Sequence, residues 1–246
     1  MKATTSQGQN PLRYYAKTRI LNDMIGTAKK RALYDREYLI LVMDSSALKV
    51  FSSCCKMFEV FGAGLYHIER LEKKRKKYPK TDAIYFISPN KLSIQRLLDD
   101  FPPSKEDTES GGGMVGKLGL DTPLMSKPDT RKHQYGALHL FFSSRLSEEM
   151  MTLLMSGGKN IVPLIQTLSE VNLDFYFFND NVFHLGRSGM LPVFKMMCEG
   201  GGGGLDTSHI SRKGDIGKNQ IIDILVTEMA NRLFTVCAIF PEYPYV

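Results

Sequence analysis

The sequence predicts an α/β fold: a mostly parallel sheet with helices on both faces, followed by part of a second α/β unit. Three observations lead there. Apolar runs of strand length, such as "LILVM" and "LHLFF", alternate with segments whose apolar residues recur at three- and four-residue steps. The run from Leu39 to Met43 is continuous, as expected of a strand buried on both sides. Cap and turn residues (Asp44 to Ser46, Gly62, Gly64, Pro89) fall between the segments.

Taken in order, residues 12–34 read as a helix, with Leu12, Ala16, Ile20, Leu21, Met24, Ile25 and Ala28 on one stripe. "REYLILVMD" is the first strand, and Asp44 to Ser46 supply N-cap candidates for the next helix. That helix carries Ala47, Val50, Phe51, Cys54, Phe58 and Phe61 on one side until Gly62 and Gly64 end it. "GLYHIE" and "DAIYFIS" are two further strands, and "NKLSIQRLLDDF" is a helix stopped by Pro102 and Pro103. From 102 to 132 the chain turns to Gly, Ser, Pro and charge, and reads as an exposed, disordered insertion.

The pattern resumes with strand "GALHLFFS" and a Met-rich helix from Ser147 to Ser156. After "GGKN", a helix is expected with Asn160 as its cap, Pro163 in its first turn and Ile161, Leu164, Ile165, Leu168 and Val171 on its apolar face. "LDFYFF" and "NVFHL", joined at "NDN", read as a hairpin. A Gly-rich loop in 199–219 precedes a last amphipathic helix, Gln220 to Phe240. The alternation breaks after about Leu173, so a second unit is expected to begin there, over 173–246.

The bulk numbers exclude several classes. Four cysteines in 246 residues are too few for a disulfide framework, and no N-x-S/T site occurs. The N-terminus lacks the apolar core of a signal peptide, and no apolar run could span a bilayer. A reduced, cytoplasmic protein is expected. The net charge of +6 is concentrated in Lys73 to Lys77 of "ERLEKKRKKYPK". A solvated face accounts for such a run; the sharper alternatives are an acidic protein, an anionic membrane or nucleic acid. Nucleic acid is the weakest, because no helix-turn-helix, zinc spacing or aromatic–basic interleaving accompanies the run.

No catalytic pattern is legible. "GGGMVGKL" fits a phosphate loop until its eighth position, where Leu118 replaces the hydroxyl that holds magnesium. Low-complexity glycine explains it better, and a nucleotide-binding enzyme using Gly111 to Lys117 stands as the rival reading. Five scattered histidines and neighbouring carboxylates such as Asp99–Asp100 do not converge on a substrate or metal. No cofactor is expected. Cys54 and Cys55 lie on the stripe and border of a helix, where adjacent cysteines cannot form a disulfide, and read as small buried hydrophobes.

"LILVMDSSALKVFSSCCKM" resembles the start of domain 1 of the SM proteins, the syntaxin-binding Sec/Munc-type regulators of SNARE-mediated fusion. "ILNDMI", "DAIYFISPNKLSIQRLLDDF", "ALHLFFSS", "IQTLSEVNLDF" and "FPEYPYV" fall in the family's order, from about residue 12 to the end, and "SSCCKM" is most similar to the exocytic branch. The resemblance implies a non-enzymatic regulator of vesicle docking and exocytosis, cytoplasmic and peripheral at plasma or vesicle membranes. It implies a parallel five-strand domain 1 over 35–172 (1–34 being an extension and its first helix), a partial domain 2 over 173–246, and a chain that is an N-terminal fragment. The partners implied are a syntaxin-type SNARE and the assembled SNARE complex. By register, the family's charged syntaxin contacts fall here on Lys49, Lys56, Glu69 and Lys73. A pocket for the syntaxin N-terminal peptide would include Leu146, Met151, Ile165 and Glu170, although helix packing accounts equally for the three apolar residues.

Overall fold

The computed structural model describes residues 11–102, 133–186 and 218–240. The insertion from 103 onward with its Gly111 to Lys117 motif, the Gly200 to Gly204 run and all but the first residue of "FPEYPYV" lie outside the described residues. The chain opens with α1 (Leu12–Thr18), a π-helical stretch (Arg19–Gly26) and α2 (Thr27–Arg31), which together occupy the helix expected over 12–34. Next come β1 (Leu39–Met43), α3 (Ser45–Cys54), α4 (Met57–Gly62), β2 (Leu65–Arg70), β3 (Tyr78–Ile87) and α5 (Lys91–Asp99). β4 (Tyr135–Phe142), α6 (Glu148–Ser156), the short α7 (Gly158–Ile161) with a 3-10 turn (Val162–Leu164), and β5 (Ile165–Glu170) complete the sheet. A small hairpin of β6 (Tyr176–Phe177) and β7 (Phe183–His184) and a long α8 (Lys218–Cys237) come last.

The five-stranded sheet has the order β2-β1-β3-β4-β5, all parallel. β1 shows why a continuous apolar run is needed. Leu39, Leu41 and Met43 face a core shared with Ile20, Met24, Val50 and Phe51, while Ile40 and Val42 face the other core with Tyr85, Ile94 and Leu97. The N-terminal helices, α3 and α4 therefore cover one face; α5 and α6 cover the other. Leu173, Phe175, Phe177, Val236 and Ile239 join the first core, so the hairpin and the end of α8 extend it instead of building another.

Two sequence expectations are corrected. Residues 165–170 are not helical: they pair with β4, Leu140 opposite Leu168, as the sheet's fifth strand. The helix expected from Ala47 to Phe61 is broken at Cys55 (φ −120°, ψ 147°) and Lys56 (φ −90°, ψ 147°), both extended. Cys54 and Cys55 are both buried, so their reading as core survives; the helical argument holds for Cys54, the last residue of α3, and fails for Cys55.

The ends flanking the insertion meet. Gln134 N–H donates to the Asp100 carbonyl at 3.0 Å, Tyr78 N–H donates to the Gln134 carbonyl at 2.7 Å, and the Phe101 and His133 rings lie 5.6 Å apart.

Candidate functional site

The basic run lies in the connection from β2 back to β3. Parallel strands usually need a crossover of about a dozen residues or more, commonly a helix. Here residues 71–77 make the return without one, as an irregular strap over the α5 side of the sheet. The strap is fixed at both ends and in the middle. Leu71 is buried in the core, and its N–H donates to the Met43 carbonyl at 2.8 Å. Arg75, its side chain only 7% exposed, donates to both Asp100 oxygens at 2.7 Å. Tyr85 donates to the same carboxylate at 2.8 Å, and the Lys76 carbonyl accepts from Gln134 Nε2. Burial pushes the Asp100 carboxyl above the usual carboxylate range, with Arg75 and Tyr85 pulling it back only in part. Arg75 thus departs from the solvated face expected for the run, whereas Lys73, Lys74, Lys76 and Lys77 are exposed.

The four charged contacts implied by family register do not share one surface. Lys49 is exposed on α3 and lines a cleft of about 600 Å³ with Leu48, Ser52, Tyr176 and His184 of the hairpin side. Lys56 is exposed at the start of α4, on the same face; its N–H donates to Glu59 Oε2 at 2.9 Å. Lys73 stands on the strap, on the opposite face of the sheet. Glu69, its side chain 8% exposed, also turns to that opposite face and accepts from the Tyr135 hydroxyl, with His67 Nε2 at 3.6 Å. Edge strand β2 separates Lys56 from Lys73, and Glu69 is held by Tyr135 of β4. The neighbouring acids are also engaged: Glu59 meets Lys17 at 2.6 Å, and Glu72 accepts from Ser45 N–H at 2.7 Å. The surface along β2 is left with outward cations.

The residues of the second expected site lie on the α5 side of the sheet. Leu146, Met151 and Ile165 are partly buried against the same core cluster, and Leu146 N–H donates to Glu170 Oε1 at 2.8 Å. Leu168 of edge strand β5, 38% exposed, projects to this side in register with Leu140 and was hidden in the sequence by its helical assignment. Leu146 also borders a cleft of about 650 Å³ with Asn172, Asn231 and Phe234, between the start of α6 and α8.

Residues 39–246 match the family model described as the Sec1 family. The chain belongs to the Sec1 family. It is 30% identical over 180 residues to "Protein transport protein sec1" of Dictyostelium discoideum, covering 73% of this chain and 25% of that protein. It is 29% identical over 234 residues to the "SNARE-interacting protein KEULE" of Arabidopsis thaliana, covering 95% and 28% respectively. The chain thus spans about a quarter of the length of these relatives. Among solved structures, the Unc18 of the Unc18–syntaxin 1 complex from Monosiga brevicollis has a TM-score of 0.63 at 23% identity, over 94% of this chain and 31% of that one. Sly1p, solved with an N-terminal peptide of Sed5p, has a TM-score of 0.64 at 16% identity, over 94% and 34%. Both share the fold.

Within this Sec1-family chain, the groups most like a catalytic centre are closed off. Doubly wound sheets take ligands where the strand order reverses, here beyond the ends of β1 and β3. Asp44 fills that position: its carboxylate accepts from Ala47 N–H at 2.7 Å, Ser88 N–H at 2.8 Å and the Ser93 hydroxyl at 2.7 Å. Asp82, His139 and Thr167 form a relay-like row, with His139 Nε2 3.3 Å from Asp82 Oδ1 and Nδ1 3.0 Å from Thr167 Oγ1. Asp82 only accepts, so Nε2 carries a hydrogen, and Nδ1 shares a hydrogen bond with the Thr167 hydroxyl. His139 and Asp82 are completely buried, which leaves a substrate no access to the relay. Burial pushes the Cys54 and Cys55 thiols up to about 12, away from thiolate chemistry. Among the described residues, no group of three or more His, Cys, Asp or Glu is arranged to hold a metal ion, and no helix is long and apolar enough to cross a membrane.

Proposed function

We propose that this chain acts in a non-enzymatic regulator of vesicle docking and membrane fusion that binds a syntaxin-type SNARE. The observation that carries the reading is membership of the Sec1 family, together with exposed Lys56 and Lys73 on the two faces beside edge strand β2, where Glu59 and Glu72 are already engaged. The KEULE relative is named for SNARE interaction, and the Unc18 and Sly1p structures are complexes with syntaxin 1 and a Sed5p peptide. A helical partner lying along the β2 edge meets Lys56 on one side and Lys73 on the other, with Lys49 further along α3. Glu69, only 8% exposed and held by the Tyr135 hydroxyl, is left out of this surface. Leu146, Met151 and Ile165, joined by Leu168, form the apolar wall, and Glu170 the polar edge, of a pocket for a short N-terminal peptide of the same partner. The exocytic step, the cytoplasmic location, and peripheral attachment to the membrane through the SNARE belong to this reading.

The test is titration of a syntaxin cytosolic domain against the chain and three variants. Lys56→Glu and Lys73→Glu each weaken binding by about tenfold, most strongly at low salt. Glu69→Gln leaves affinity unchanged. Wild-type affinity in both lysine reversals overturns the proposed surface.

A further inference from the structure

We propose that the N-terminal end of the sheet is a docking face for an anionic lipid bilayer, built by residues 29–38 with Tyr66 and Lys80. It lies at the opposite end of the strands from Lys73, which follows the last residue of β2, and is separate from the syntaxin surface above.

All five strands are parallel, so their first residues lie at one end of the sheet. Residues 29–38 cross that end from edge to edge. The Lys29 side chain fills the space beside Gly64, just before β2. Tyr38 leads into β1, and its ring lies 5.2 Å from that of Tyr66. The Leu33 and Tyr34 amides donate to the Asp82 carboxylate in β3 at 2.8 Å each. The Tyr34 ring takes the space that a Cβ on Gly136 of β4 would need, and Arg31 donates to the Gln166 carbonyl of β5 at 3.4 Å. A segment tied to every strand is ordered before any partner arrives, which lowers the entropy lost on binding.

Although so tied, the segment turns large apolar groups to solvent. Leu33 is 60% exposed and Tyr66 59%, and Tyr34 and Tyr38 are exposed too. Cations stand between them. Lys30, Arg31 and Arg36 are exposed, as is Lys80 at the start of β3, and among the described residues none of the four is in an ion pair with Asp35 or Glu37. Protein interfaces gather apolar side chains into a core and send charge to the rim. Here cations and apolar tips alternate along one ridge of chain, Lys30 and Arg31, Leu33 and Tyr34, Arg36, then Tyr38. A bilayer surface accepts that alternation: lipid phosphates and carboxylates meet the cations, and leucine and tyrosine reach the acyl boundary, where a phenol keeps its hydroxyl in water. Neither cleft described above includes a residue of this end, so no pocket competes for the role.

The experiment uses the full chain with vesicles of phosphatidylcholine alone or mixed with phosphatidylserine, read by co-sedimentation. The sequence contains no tryptophan, so Tyr38→Trp places a single fluorophore on the face. The wild type binds the mixed vesicles at least about tenfold more tightly than phosphatidylcholine alone, and added salt shrinks the difference. The emission of the Tyr38→Trp chain shifts to the blue on mixed vesicles and is quenched by brominated acyl chains, which a chain held only at the headgroups does not show. Lys30→Glu with Arg36→Glu weakens vesicle binding about tenfold. Lys73→Glu with Lys74→Glu, the same charge change at the far end of the strands, leaves it at wild type. Every replaced side chain is exposed, so thermal melts stay at wild type. No preference for phosphatidylserine, an emission that does not shift, or an equal loss from both charge-reversed pairs overturns the face. A Lys30/Arg36 pair that weakens titration with the syntaxin domain while vesicle binding is unchanged makes this end a protein surface, and that result overturns it as well.

Discussion

Asp82 shows what a single carboxylate does in a dry sheet. Burial alone raises its pKa, but the hydrogen bonds from His139 and from the Leu33 and Tyr34 amides, each 2.8 Å, outweigh burial and hold it below the ordinary 3.8. The lowered value means that the unfolded chain binds this proton more readily than the folded one. The stabilisation is therefore complete above the unfolded pKa and is lost as pH falls through the folded value. Urea unfolding at a series of pH values should show stability declining below about pH 4. Asp82→Asn should flatten that part of the curve and cost about 2 kcal/mol at neutral pH. A pH profile unchanged by the substitution contradicts this role. At this scale the sequence was partly legible. Lys56 and Lys73 are as exposed as their charge suggests, and Leu146 does meet Glu170. Glu69 and Arg75 are more buried than their charge suggests, because local spacing does not reveal a partner 66 residues away in Tyr135 or 25 away in Asp100.

The elements divide by how far they depend on distant pairing. α3, α5 and α6 begin where their caps predict: Asp44, Asn90 and Ser147 each accept from a backbone amide three residues on. β5 was hidden because Ile161, Leu164, Ile165, Leu168 and Val171 fit a helical stripe, while the pairing that makes a strand comes from β4. The break at Cys55 was hidden because apolar periodicity runs through it. Asp44 acts at this scale too, joining the start of α3 to Ser88 after β3 and to Ser93 in α5. Asp44→Ala removes a cap and orphans buried donors from both sides of the sheet. The expected cost is about 3 kcal/mol in urea unfolding, against about 1 kcal/mol for a cap alone. A loss no larger than the cap limits Asp44 to capping.

At the scale of the molecule, the second unit expected after Leu173 does not stand apart in the described residues. Arg13 bonds both Ser53 and Asp180, Arg19 reaches the Val171 and Ala238 carbonyls, and the hairpin and α8 add side chains to the first core. Alternation along the chain marks the end of a sheet, but it carries no information about which core the next segment joins. The bonds joining Asp100, Gln134 and Tyr78 have a different consequence, one for engineering. They give the sheet a closed seam, so whatever is threaded between residues 103 and 132 begins and ends at nearly the same point in space. Halving that stretch twice should raise stability by about 1 kcal/mol, from about 0.6 kcal/mol of closure entropy per halving. The same seam makes it a splice point for a fluorescent reporter, and a thermal melt that collapses on shortening is the result that denies it.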